Sequence, residues 1–116
     1  MLKIKRVYTG KEETDGYRVL VDRIWPRGMT KELADVDLWL KDVAPSKELR
    51  QFFNHEKEKF PEFKKKYQEE LKQGPQKEAL NTLKEIINTH DVVTLVYGAK
   101  NETYNQAVVL KELLEK

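Results

Sequence analysis

The sequence predicts an α/β fold, a single domain built on a small, mostly parallel sheet flanked by helices. Three observations carry that expectation. Residues 92–97 (VVTLVY) are apolar on both faces, the pattern of a central strand in a parallel sheet. Residues 17–21 (YRVLV) form a second β-prone run, which opens into the polar segment Asp22-Arg23-Ile24-Trp25-Pro26-Arg27-Gly28. Between and after these runs, apolar residues recur at helical steps, as on helices packed over a sheet. The 116 residues are enough for one core, and the whole span 1–116 reads as one domain.

Each element has its own signal. Leu2, Ile4 and Tyr8 alternate with Lys3, Lys5 and Val7, which reads as a strand with one wetter face. Residues 9–16 (TGKEETDG) are a polar loop, and 17–22 form the second strand, stopped by Pro26 and Gly28. Thr30-Lys31-Glu32-Leu33 starts a short helical turn. Residues 35–44 (DVDLWLKDVA) fit two periods: Val36, Leu38 and Leu40 alternate, while Val36, Trp39, Leu40 and Val43 suit a helix. The reading leans to short helical or irregular structure there. Pro45-Ser46 caps a helix whose face carries Leu49, Phe52 and Phe53. Phe60, Phe63, Tyr67 and Leu71 mark the next, with Pro61 at a helix-starting position and Gly74-Pro75 as its stop. Ala79, Leu80, Leu83, Ile86 and Ile87 mark another, ending near His90. After the strand at 92–97 come a turn at Gly98-Ala99-Lys100, a capping Asn101, and a last helix through Ala107, Leu110 and Leu114. That makes three strands, with no repeat and no linker.

Composition removes several functions. There is no cysteine, which excludes disulfides, thiolate nucleophiles and cysteine metal sites. Charged residues are 36% of the chain, yet the net charge is only +2, which argues against nonspecific nucleic-acid binding. Met1 to Arg6 carry no apolar run like that of a secretory signal, and no stretch reaches membrane-spanning length. The expectation is a cytoplasmic protein without membrane contact. No Gly-x-Gly-x-x-Gly occurs, and the two histidines are far apart, so neither a dinucleotide nor a zinc ion is expected. No metal ligand set and no cofactor can be named, and the oligomeric state stays open.

In open α/β sheets, ligands bind just outside the carboxyl ends of strands. Arg23 and Arg27 emerge there, and guanidinium groups bind phosphate or carboxylate through paired hydrogen bonds at any physiological pH. Trp25 can wall such a pocket, and Gly28 lets the backbone approach closely. If the second apolar strand runs parallel, Tyr97 and Lys100 reach the same edge as donors, and Asn105 points at the same cleft. Asp22 would orient the arginines or act as a base. His55, at a chain bend, is the candidate proton shuttle. The plainer reading makes Asp22 the partner of one arginine, Trp25 a core plug, and both Lys100 and His55 solvated surface groups.

Residues 18–28 (RVLVDRIWPRG), 37–46 (DLWLKDVAPS), Glu48-Leu49-Arg50 with Phe53 and His55, 94–100 (TLVYGAK), and Asn105-Gln106-Ala107 together resemble the DUF488 family, in particular its short YeaO-like branch. The resemblance runs in order over nearly the whole chain, with the Trp-Pro-Arg-Gly segment its most specific part. It implies an uncharacterised bacterial or archaeal cytosolic α/β protein and assigns no activity. The family often carries a histidine after the asparagine of the last segment; here Gln106 stands in that place, so acid–base work by such a histidine is closed to this chain. Gly98 stands where relatives often have alanine, an exchange expected to be a neutral packing change.

The sequence thus supports an anion-binding cleft for a phosphorylated or carboxylated small molecule, with catalysis undecided. Two other readings stay open. One is a nucleic-acid-binding or regulatory module using Arg23, Arg27, Arg50 and Trp25. The other is a structural ion network with no ligand, in which the charges of the Asp22–Gly28 segment only hold the fold.

Overall fold

The computed structural model describes residues 1–115. Strand β1 (Leu2–Arg6) leads through two single 3-10 turns to β2 (Tyr17–Leu20), and α1 (Lys31–Ala34) leads to β3 (Leu38–Trp39). Three helices follow, α2 (Lys47–Phe53), α3 (Phe60–Glu70) and α4 (Gly74–Thr89), before β4 (Val93–Tyr97) and α5 (Gln106–Leu114) close the chain. The sheet is four-stranded in the order β1-β4-β2-β3, and every pairing is parallel. The α/β expectation holds, and the parallel run of β2 beside β4 on which the site reading depended is present. No helix among the described residues is long and apolar enough to cross a membrane.

That strand order places the cleft. After β2 the chain moves outward to β3, whereas after β4 it turns back through α5, which packs over β1. Connections leaving neighbouring strands in opposite directions open a crevice between them at their carboxyl ends. Here that crevice lies between Asp22, just past β2, and Gly98, just past β4.

Three local expectations are corrected. Residues 35–44 contribute a strand: Leu38 and Trp39 pair with Val19 and Leu20 before a 3-10 turn at Lys41–Val43. The alternation of Val36, Leu38 and Leu40 was the informative period, and it is short because only two residues pair. Gly74-Pro75 opens α4 instead of ending α3, since Pro needs no N–H partner in a first helical turn. The last helix starts at Gln106, with Asn105 as its N-cap accepting from Val108 N–H at 3.1 Å; Asn101 caps only a local turn, through Thr103 and Tyr104 N–H.

The main core sits on one face of the sheet. Val19, Val21, Val93, Leu95 and Tyr97 meet Leu49 and Phe53 of α2, Phe63 and Tyr67 of α3, Leu80 and Leu83 of α4, and Ala107 and Leu110 of α5. Phe53 and Phe63 stack at 4.4 Å between ring centroids. The buried Tyr67 hydroxyl donates to the Val43 carbonyl at 2.5 Å, tying α3 to the turn before α2.

The opposite face holds a smaller apolar cluster, Val7, Leu20, Ala34 and Val96, with Trp25, Met29 and Val36 against it. Beside that cluster lies a buried ion network. Arg18, wholly inaccessible, donates to Asp15 Oδ2 at 2.6 Å, to the Ala34 carbonyl at 2.7 Å and to the Asp35 carbonyl at 2.9 Å. Lys5 reaches both Asp15 carboxylate oxygens at 3.1 Å. Burial alone would push the Asp15 carboxyl up, but the Glu12 N–H, Lys5 and Arg18 together hold it below its ordinary value.

Candidate functional site

Asp22 is fixed from three elements at once. Its Oδ2 accepts from the Gly98 N–H at 2.8 Å, its Oδ1 accepts from Gln106 Nε2 at 2.6 Å, and its carbonyl accepts from the Trp39 indole at 2.7 Å. Burial raises the carboxyl from 3.8 to about 6, against the opposing effects of the Gly98 and Gln106 hydrogen bonds and the Arg50 charge. No ion pair joins Asp22 to an arginine among the described residues. A Cβ on residue 98 would stand 2.8 Å from Asp22 Oδ2, so the expected neutrality of alanine there is corrected: the carboxylate would have to move.

Asp22 lines a cavity of about 230 Å³ together with Arg23, Arg50 and His55. Arg23 Nη2 donates to the Ala44 carbonyl at 2.8 Å, and its Nη1 lies 3.3 Å from Asp42, leaving part of its donor fork uncommitted. Arg50 Nε is buried and has no hydrogen-bond partner among the described residues. A buried guanidinium N–H without a partner costs free energy, so the Arg50 guanidinium is not fully satisfied by the protein's own groups. Phe53, Phe63 and Tyr104 supply aromatic wall, and Ala44 and Pro45 supply aliphatic wall.

His55 is exposed at the cavity mouth, its ring 6.3 Å from that of Phe53. It follows α2 through two residues in the left-handed region, Asn54 at φ 46° and His55 at φ 57°. Neither is glycine, so the chain spends conformational energy to bring this histidine round the end of the helix.

Of the residues expected at the site, Asp22, Arg23, His55 and Asn105 line the cavity. The others lie elsewhere along the same edge. Trp25 packs with the smaller cluster, donates to the Met29 carbonyl at 2.6 Å, and meets Trp39 edge-on at 5.3 Å. Arg27 is exposed, and its carbonyl accepts from the Tyr8 hydroxyl at 2.7 Å. Gly28 has φ 78° and open space where a Cβ would stand, so the turn needs it for backbone conformation and no close approach is involved. Tyr97 is buried in the main core, which pushes its phenol up. Lys100 is exposed outside the cavity.

Arg50, Tyr104 and Gln106 are cavity residues that residue-type reasoning did not place there. Arg50 had a signal, since it lies one helical turn before Phe53 on α2. Gln106 had one too: it follows the capping asparagine and so sits in the first turn of α5, beside the β4 exit.

The profile of a family described as the inactive DUF488-N3 subclade matches residues 1–116. The chain belongs to the DUF488 family. It is 42% identical over 113 residues to the uncharacterised protein YeaO of Escherichia coli K12, covering 97% of this chain and 96% of that protein. It is 44% identical over 113 residues to the uncharacterised protein Rv3073c of Mycobacterium tuberculosis H37Rv, covering 97% of this chain and 92% of that protein. No solved structure matches the chain. The stretches of sequence that carry the resemblance to the family contain both the cavity group, Asp22, Arg23 and Arg50, and the turn group, Trp25, Pro26, Arg27 and Gly28.

Proposed function

We propose that this DUF488 protein is a cytoplasmic binding protein for a small carboxylated or phosphorylated molecule, held without turnover in the cavity between β2 and β4. The observation that carries the reading is the presence of two arginines, Arg23 and Arg50, on one cavity, with Arg50 Nε left without a hydrogen-bond partner among the described residues. Two guanidinium groups around one small volume form an anion clamp whose charge does not vary with pH. The aromatic wall would cover the body of the ligand.

Two features favour binding over catalysis. The matching subclade is described as inactive. Asp22 also receives its hydrogen bond from the Gln106 amide, which cannot exchange a proton at neutral pH, where the family often has a histidine. Against the purely structural alternative, in which Asp22 pairs with an arginine of its own segment, stands the lack of an ion pair between Asp22 and Arg23 or Arg27 among the described residues; Arg23 lies beside Asp42 instead.

Titration calorimetry against inorganic phosphate, sulfate, phosphate esters and a series of carboxylates tests this reading. Saturable one-to-one binding by at least one class, with mild salt dependence, is the expected result. A steep fall of affinity with salt on nucleic acid, combined with silence across the whole anion panel, would transfer the cavity to the nucleic-acid reading.

A further inference from the structure

We infer that the ligand is bifunctional: it presents an anion to Arg23 and Arg50, a hydroxyl or ammonium donor to the Asp22 carboxylate, and an apolar body to Phe53 and Phe63. The inference rests on the anion reading above and adds the class of molecule, a hydroxy acid or amino acid with an apolar side chain.

Asp22 lines the same cavity as Arg23 and Arg50 yet forms an ion pair with neither among the described residues. A bare anion drawn in by the arginines would also meet the carboxylate that lines the same cavity, and like charges in a partly desolvated space repel strongly. Each oxygen of Asp22 accepts one hydrogen bond, from Gly98 N–H or from Gln106 Nε2. A carboxylate oxygen has a second acceptor direction, so each can take a further donor. A ligand carrying a donor near its anion turns the repulsion into a charge-assisted hydrogen bond.

The walls set the rest of the molecule. Phe53 and Phe63 are stacked, and with Ala44 and Pro45 they line the apolar side of this cavity. Inorganic phosphate or acetate would satisfy the clamp alone and leave that wall bare.

Three probes with the same ring and carboxylate separate the possibilities: phenylpropanoate, phenyllactate and phenylalanine carry beside the carboxylate nothing extra, a hydroxyl, and an ammonium. In titration calorimetry on the wild-type chain, phenyllactate or phenylalanine should bind about tenfold or more tighter than phenylpropanoate, the margin of one hydrogen bond to a charged acceptor. In Asp22→Asn that preference should collapse. The variant is nearly isosteric, keeps an acceptor for Gly98 N–H, and can receive Gln106 with its amide turned round; circular dichroism checks that it is folded. The wild-type ranking decides the matter even if the variant is not. Equal affinity for phenylpropanoate and the other two overturns the inference and leaves the anion reading standing. Silence from all three also overturns it, and the phosphate and carboxylate panel then judges the anion reading alone.

Discussion

The Gly98 N–H donates to Asp22 Oδ2 at 2.8 Å, and the same oxygen lies 2.8 Å from where a Cβ on residue 98 would stand. The backbone just past β4 therefore holds the carboxylate, and it does so at a distance that a side chain on residue 98 would crowd. Gly98→Ala should displace Asp22, lower stability by about 1 kcal/mol, and raise the Asp22 titration further, because a bond that favours the ionised form is lost. Carbon-detected NMR titration of the carboxyl checks this. An unchanged Asp22 midpoint in a folded variant would contradict it.

Burial raises Asp22 to about 6 from 3.8, so the native state favours the protonated carboxyl. The contribution of this group is fully favourable below about pH 4 and is lost as pH rises through 6. Asp22→Asn should accordingly be more stable than wild type near pH 8, by about 2 kcal/mol after allowance for partial exposure. Below pH 4 the relative advantage should have disappeared. Urea unfolding at pH 4 and pH 8 measures the difference, and a gap that does not change with pH would refute the assignment. A carboxylate kept at a cost in stability is what a binding role would require.

Arg18 is the arginine that holds the fold. Its guanidinium is inaccessible and bonded to Asp15 and two carbonyls, so Arg18→Met strands a buried carboxylate. A loss of about 3–5 kcal/mol is expected. Chemical denaturation shows it, and a loss under about 1 kcal/mol would mean that Lys5 alone satisfies Asp15.

Much of the fold was legible in the sequence because it rests on periodicity. The apolar runs at Tyr17 and Val92, the helical step of Phe60, Phe63 and Tyr67, and the caps Thr30 and Ser46 are local signals, and each appears where expected. β3 was ambiguous because residues 35–44 fit both the strand and the helical period, and only two of them pair; the pairing with β2 decides between the two. The candidate cavity was legible as a place at the strand ends. Asp22 and Arg23 were placed by the exit of β2, but the chain leaves the sheet through bends and a turn, which carry Trp25 to the smaller cluster on the opposite face and leave Arg27 in solvent. Arg50 and Gln106 enter the cavity from helices distant in sequence, and only the crossover of β4 between β1 and β2 brings them to Asp22.

The most direct test compares Arg50→Ala with Arg27→Ala in thermal unfolding, with and without the best ligand of the anion panel. A ligand at a hundred times its dissociation constant stabilises by about 2.7 kcal/mol, a shift of several degrees or more for a domain of about this size. The account predicts that both variants fold, that Arg27→Ala keeps the ligand shift, and that Arg50→Ala loses it. An Arg50→Ala protein that keeps the full shift, or an Arg27→Ala protein that alone loses it, would contradict the cavity as the binding site.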